Sequence, residues 1–166
     1  VFGSAGAILL VSGAAVYATI PLLPKEHKDK AYWDKVETAN RRCPTLPALR
    51  PIALLPPATI MTFVDLGPRL ITVTHHKAIA GPYHRNGAAI LDIHHAFDGP
   101  PEQARAIAKM RGATLLLVCP YLSESTVYRA RSPKGFYARL EKGERFPWLE
   151  PVALPKGSPY WLWRIR

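Results

Sequence analysis

The chain of 166 residues and 18.4 kDa is sized for one compact domain and not comfortably for two. Its net charge of +10 arises from 22 Lys and Arg against 12 Asp and Glu, and the basic residues are scattered with no clustered stripe, which argues against a nucleic-acid-binding protein. All of that charge follows residue 23, so membrane lipids with anionic head groups, or an anionic substrate, are the more economical partners.

Val1 to Leu23 contains no charged residue, and as a helix rising 1.5 Å per residue it would reach roughly 34 Å, enough to cross about 30 Å of hydrocarbon. The sequence therefore predicts a transmembrane helix over residues 1–23. A cleaved secretory signal is disfavoured because no basic region precedes the apolar run. A buried core helix is disfavoured because uncharged runs of about 18 or more residues are uncommon in soluble domains. The run begins without an initiator methionine and reads as the last span of a longer, polytopic protein. Gly3, Ala7, Gly13 and Ala14 leave small surfaces on it for packing against other membrane subunits.

Residues 24–57 read as an amphipathic helix and a Pro-rich connector. Lys25–Arg42 is charged and helix-prone, with Tyr32, Trp33, Val36 and Ala39 forming a narrow apolar stripe suited to a membrane surface. Its six Lys and Arg lean toward the cytoplasmic side by the positive-inside rule, from which long domains escape. Pro44, Pro47, Pro51, Pro56 and Pro57 then leave room only for short helical turns, such as Leu46–Leu55 with Pro51 at a kink or a new start.

Residues 58–166 predict a small α/β domain with a mixed sheet of about four or five strands. Thr59–Val64 reads as a short buried strand ended by Asp65-Leu66-Gly67-Pro68, and Lys77–Ala80 as a second, closed by Gly81-Pro82. Arg69–Thr74 fits a helical turn or a strand. Asn86 is placed to cap a helix running to about Ala96, and Asp98-Gly99-Pro100-Pro101 stops it and starts the next. Pro101–Arg111 is amphipathic, with Ala104, Ile107 and Ala108 on one side and Gly112 after it. Thr114–Cys119 is continuously apolar, the mark of a strand at the centre of a sheet. Ser123–Ala130 and Lys134–Lys142 read as helices, and Trp148–Leu154 and Pro159–Arg166 as a final pair of strands around Pro155-Lys156-Gly157-Ser158.

The chemistry-bearing residues narrow the choice of site. Six histidines, His27, His75, His76, His84, His94 and His95, include no HExxH or HxH spacing, so neither a metal nor any other cofactor is expected. No GxSxG and no Gly-rich phosphate loop is present. Cys43 and Cys119 form no CxxC; they read as one disulfide in an exported domain or as two unrelated buried thiols in a reducing compartment. Asp65 stands at a strand end, where an Asp either caps a turn or does chemistry. Tyr83-His84-Arg85-Asn86 sets a phenol, an imidazole, a guanidinium and a carboxamide at the expected start of a helix, where backbone N–H groups favour an anion. Arg85 can bond a phosphate or carboxylate bidentately; the competing reading pairs it with Asp65 or Asp92.

The order of a strand ending in Asp65-Leu66-Gly67-Pro68, a Thr-x-His turn, AIAGPYHRN (residues 78–86), LLLVCP (residues 115–120) and FPWLEPV (residues 146–152) resembles the C-terminal region of poorly characterised bacterial polytopic membrane proteins. These are similar in layout to GT-C type glycosyltransferases, in which many spans precede an extracytoplasmic α/β domain. The resemblance implies an inner-membrane protein with residues 58–166 in the periplasm, a disulfide between Cys43 and Cys119, and a polyprenyl-phosphate sugar as substrate. It also implies catalytic acids in an early loop outside this chain, which leaves Tyr83, His84, Arg85, Asn86 and Asp65 as ligand-binding candidates and not as catalysts. The alternative is a non-catalytic, single-span accessory subunit of a respiratory or photosynthetic membrane complex.

Overall fold

The computed structural model describes residues 29–166, except for the side chain of His84. The predicted transmembrane helix over 1–23 lies outside the described residues, and among those described no helix is long and apolar enough to cross a membrane. By packing, the chain divides into Val1–Tyr32 and Trp33–Arg166, and the whole sheet belongs to the second unit.

The helices are α1 (Lys30–Arg42), α2 (Leu46–Ala53), α3 (Gly67–Val73), α4 (Gly87–Asp98), α5 (Pro101–Met110), α6 (Ser123–Arg131) and α7 (Phe136–Glu141). The strands are β1 (Thr59–Met61), β2 (Lys77–Ala78), β3 (Leu115–Val118), β4 (Leu149–Pro151) and β5 (Trp161–Ile165), and a 3₁₀ turn spans His84–Asn86. They form one mixed five-stranded sheet in the order β2-β1-β3-β5-β4, within the predicted strand count. β2, β1 and β3 are mutually parallel, and β5 runs antiparallel to both β3 and β4.

β3 is central because all four of its residues are buried, which requires cover on both faces. That cover comes from two helical groups, α2 packed on α3, and α4 packed with α5, α6 and α7. From β1 the chain crosses to β2 on one side, and from β2 it crosses back over β1 to β3 on the other. Right-handed crossovers in opposite directions put the two groups on opposite faces. The Pro-rich segment contributes to the core through Leu49 and Ile52, both buried in α2, whose Thr45 cap accepts from the Ala48 N–H.

Several boundaries differ from those expected. The strand predicted over Thr59–Val64 stops pairing at Met61, because the Val64 and Asp65 N–H groups bond a side chain instead of a neighbouring strand. Arg69–Thr74, ambiguous by sequence, is the body of α3, with Pro68 at its first turn. Asn86 occupies the position before α4, yet its side chain makes no capping hydrogen bond; the preceding 3₁₀ turn, closed by Asn86 N–H to Tyr83 O at 2.9 Å, carries the chain into the helix.

Cys43 and Cys119 form a disulfide across 76 residues, with Cα atoms 6.4 Å apart, so the reading as unrelated thiols falls. The crosslink joins the end of α1 to the end of β3. Beside it the buried Tyr160 hydroxyl donates to the Cys43 carbonyl, and burial pushes that phenol's pKa up. Replacing both cysteines by alanine is expected to lower stability by about 4 kcal/mol through the released loop entropy. Urea unfolding of the oxidised wild type against Cys43→Ala/Cys119→Ala checks this, and equal midpoints would show that the crosslink adds nothing.

Candidate functional site

The carboxyl ends of parallel strands that diverge in opposite directions leave a crevice where the backbone opens. Here that point lies between β1 and β3, and the segments leaving β1, β2 and β3 share the edge. Two of the sequence candidates leave β1 and β2 together. A Cβ on Gly67 would lie 2.1 Å from the Ala80 carbonyl oxygen, so only glycine lets the β1 and β2 exits meet. A Cβ on Gly81 would in turn fall 2.8 Å from the Tyr83 ring and 3.4 Å from Pro68. Asp65-Leu66-Gly67-Pro68 and Gly81-Pro82-Tyr83 are therefore neighbours across the edge.

On this platform Asp65, Tyr83 and Arg85 are exposed, Tyr83 at 48%. Among the described residues no hydrogen bond or ion pair holds the Asp65 carboxylate or the Arg85 guanidinium, so the expected alternative pairing between them is not formed. Asp92 is instead bonded by Arg111, whose Nε lies 2.7 Å from it. Asn86 is half-buried, and no side chain caps the first turn of α4 beside Arg85.

Beneath the exposed groups lies a buried acid that the sequence pattern does not single out. Glu124 accepts from the Val64 N–H at 2.9 Å, from the Asp65 N–H at 2.7 Å and from the Tyr128 hydroxyl. Tyr128, fully buried, lies with its oxygen 3.1 Å from His94 Nδ1. With Tyr128 donating to Glu124, its oxygen accepts from Nδ1–H, which fixes the His94 tautomer. Burial raises the Glu124 pKa, against the lowering effect of these donors, and burial also raises that of Tyr128. The one signal in the sequence is an acid and a tyrosine four residues apart on one face of α6.

The exit of β3 adds Tyr121, a non-glycine residue at φ 66°, a backbone setting that an aromatic residue adopts only under constraint. The constraint is visible on either side. Lys35 Nζ stands 5.2 Å from the Tyr121 ring centroid. Asn40 accepts from the Ser123 N–H at 2.9 Å and donates to its hydroxyl at 2.6 Å, capping α6 from another helix.

The histidine pair has structural duties. His75 Nε2 bonds the Leu55 carbonyl at 2.7 Å, and buried His76 donates from Nε2 to Ile52 O at 2.8 Å while its Nδ1 accepts from the Ala58 N–H. Both fasten the segment entering β2 to the end of α2 and the turn after it. Among the described residues no group of three or more His, Cys, Asp or Glu is arranged to hold a metal ion.

The raised Glu124 pKa carries a sign. The folded chain holds this proton more tightly than the unfolded chain, whose carboxyl titrates near the ordinary 4.5, so the stability it confers is complete below that value and is lost as pH rises through the folded pKa. Glu124→Gln removes the titration and turns an amide N–H toward one of two backbone donors. It is expected to cost about 1–3 kcal/mol and to flatten the decline of stability with pH. Urea unfolding at several pH values from about 4 to 8 checks it; parallel pH profiles for the two proteins would refute the assignment.

No family model matches the chain, and no curated protein matches it. Among solved structures it is similar to the C-terminal globular domain of an oligosaccharyltransferase from Archaeoglobus fulgidus, at 12% identity and a TM-score of 0.49, over 81% of this chain and 97% of that one.

Proposed function

We propose that residues 58–166 form the periplasmic, ligand-shaping domain of an inner-membrane transferase of GT-C layout, and that the shared exits of β1 and β2 meet a polyprenyl-phosphate sugar. The observation that carries this reading is the juxtaposition of Asp65 with Tyr83 and Arg85 on one exposed edge at the reversal of strand order, with neither charge neutralised among the described residues. The two ends of such a ligand ask for different chemistry. A phosphate is served by a bidentate guanidinium beside a helix start that no side chain caps. Sugar hydroxyls are served by a carboxylate that accepts, here Asp65, and the sugar's C–H face by the flat Tyr83 ring. A disulfide linking the end of α1 to the central strand β3 supports assignment to an oxidising compartment, and the net charge of +10 favours the surface of an anionic membrane. The chemical step is assigned to acids outside this chain, so these residues bind and orient.

The test uses the whole chain in phosphatidylcholine nanodiscs, titrated with farnesyl phosphomannose and, separately, farnesyl phosphate while backbone amide resonances are followed. Shifts are expected at 65–68 and 83–87. Arg85→Ala should weaken both ligands at least about tenfold, the scale of a lost charge-assisted hydrogen bond, and leave the fold intact. Asp65→Asn should weaken only the mannosyl ligand. Unfolding of the Arg85→Ala variant, or unchanged affinity in it, would sink the proposal.

A further inference from the structure

The half of the sheet away from β2 carries a second concavity. Trp161 and Trp163 are two residues apart on β5 and so share one face, with ring centroids 6.2 Å apart and planes at 81°. Trp163 lies opposite Pro151 on the edge strand β4. The connection from α7 to β4 passes over this face and brings Phe146 to it, and together these residues line a cleft of about 550 Å³, inside the common range of small-molecule sites. Glu141, Glu144 and Arg145 add polar groups to its lining.

The cleft is preformed. Phe146 is buried against Phe136, with centroids 5.2 Å apart, and the Arg139 guanidinium stands 5.6 Å over its ring. Arg139 is itself fixed by Glu144, with Nε 2.7 Å from the carboxylate. Trp161 retains 37% of its surface, so an aromatic plane is open to a ligand.

The lining discriminates among ligand classes. A hydrocarbon chain gains from the indoles but leaves the polar side of the cleft unused, where Glu144 is held by Arg139 and Glu141 lies 3.8 Å from Arg129. A compact anion could pair with Arg145 but gains nothing from the indoles. A pyranose suits both parts, because its C–H face lies on a flat apolar ring while each hydroxyl both donates to carboxylate and accepts from guanidinium. We infer that the Trp161–Trp163 cleft is a carbohydrate subsite, stacking a sugar ring on Trp161 with Glu141, Glu144 and Arg145 around its hydroxyls. The inference rests on the transferase reading only in naming the source of the sugar: the glycan carried on the lipid, beyond the unit at Asp65.

The experiment follows the indole N–H resonances of the full chain in phosphatidylcholine nanodiscs during titration with triacetylchitotriose. Saturable shifts of Trp161 and Trp163 are expected, with affinity at least about tenfold weaker in Trp161→Ala and largely kept in Trp161→Phe, which preserves a stacking ring. Absent shifts, equal affinity in Trp161→Ala, or saturation of the same resonances by 1-octanol but not by the sugar would overturn the inference. Chitotriose binding that persists where farnesyl phosphomannose fails to bind would keep the subsite and remove the transferase reading, so the two fail separately.

Discussion

A carboxylate taken out of water must be matched by donors, and Glu124 is matched by two backbone N–H groups and a phenol. Those two backbone groups belong to Val64 and Asp65, so the acid ends β1 and fixes where the chain leaves it. The turn after them, closed by Leu66 and Gly67 N–H groups on the Phe63 carbonyl, brings Gly67 against Ala80. From Ala80 the packing passes through Gly81 to Tyr83. One buried acid thereby sets the separation of Asp65 from the 3₁₀ turn bearing Arg85. The backbone is over-determined while the charged side chains of Asp65 and Arg85 stay unengaged among the described residues, which is the arrangement a binding edge requires.

The same edge is held from beneath and from the side. Phe63, next to the turn, packs with Phe97 at 4.9 Å, Tyr137 at 5.5 Å and Tyr128 at 5.8 Å, an aromatic cluster linking β1 to α4, α6 and α7. On the β3 side the Cys43–Cys119 disulfide and the Asn40–Ser123 pair tie the exit of β3 to α1. Between these anchors Tyr121 is held in the left-handed region. Strain of this kind persists only when its surroundings enforce it.

What can be read from the sequence divides along local and nonlocal lines. The continuous apolar run of β3, the amphipathic face of α5 at Ala104, Ile107 and Ala108, and the glycine after it, Gly112 at φ 66°, follow from periodicity and local backbone rules. The candidates Asp65 and Tyr83–Asn86 stand out as polar breaks between apolar segments, but their adjacency depends on Gly67 meeting a residue 13 positions later. Glu124 is only faintly legible, as an acid four residues before Tyr128, because its backbone partners lie about 60 residues away. Asn86 shows the opposite failure: a strong local cap signal yields to a 3₁₀ turn, so its side chain is not needed.

Strand order also sets the relation between the two proposed subsites. β5 enters the sheet with Trp161 opposite Val118, the last residue of β3, so the open indole lies toward the same edge as the exits of β1 and β2. From β1 to β5 is two strand spacings, roughly 10 Å, and from β2 to β5 three, roughly 14 Å. Those distances correspond to a few linked sugar rings and exceed what one could bridge. The polar groups differ along the edge: a guanidinium unpaired among the described residues at the β2 end, a carboxylate at β1, and at β5 indoles flanked by Arg145 and by Glu141 and Glu144, which Arg129 and Arg139 pair. Under the proposal, a ligand with phosphate at one end and a neutral glycan extending from it would place its phosphate at Arg85, which has no carboxylate partner among the described residues, and its sugars at the indoles, where Glu141 and Glu144 are already paired with Arg129 and Arg139. The sheet's antiparallel half, which a purely parallel domain would lack, extends the edge to the length that the proposed ligand would need.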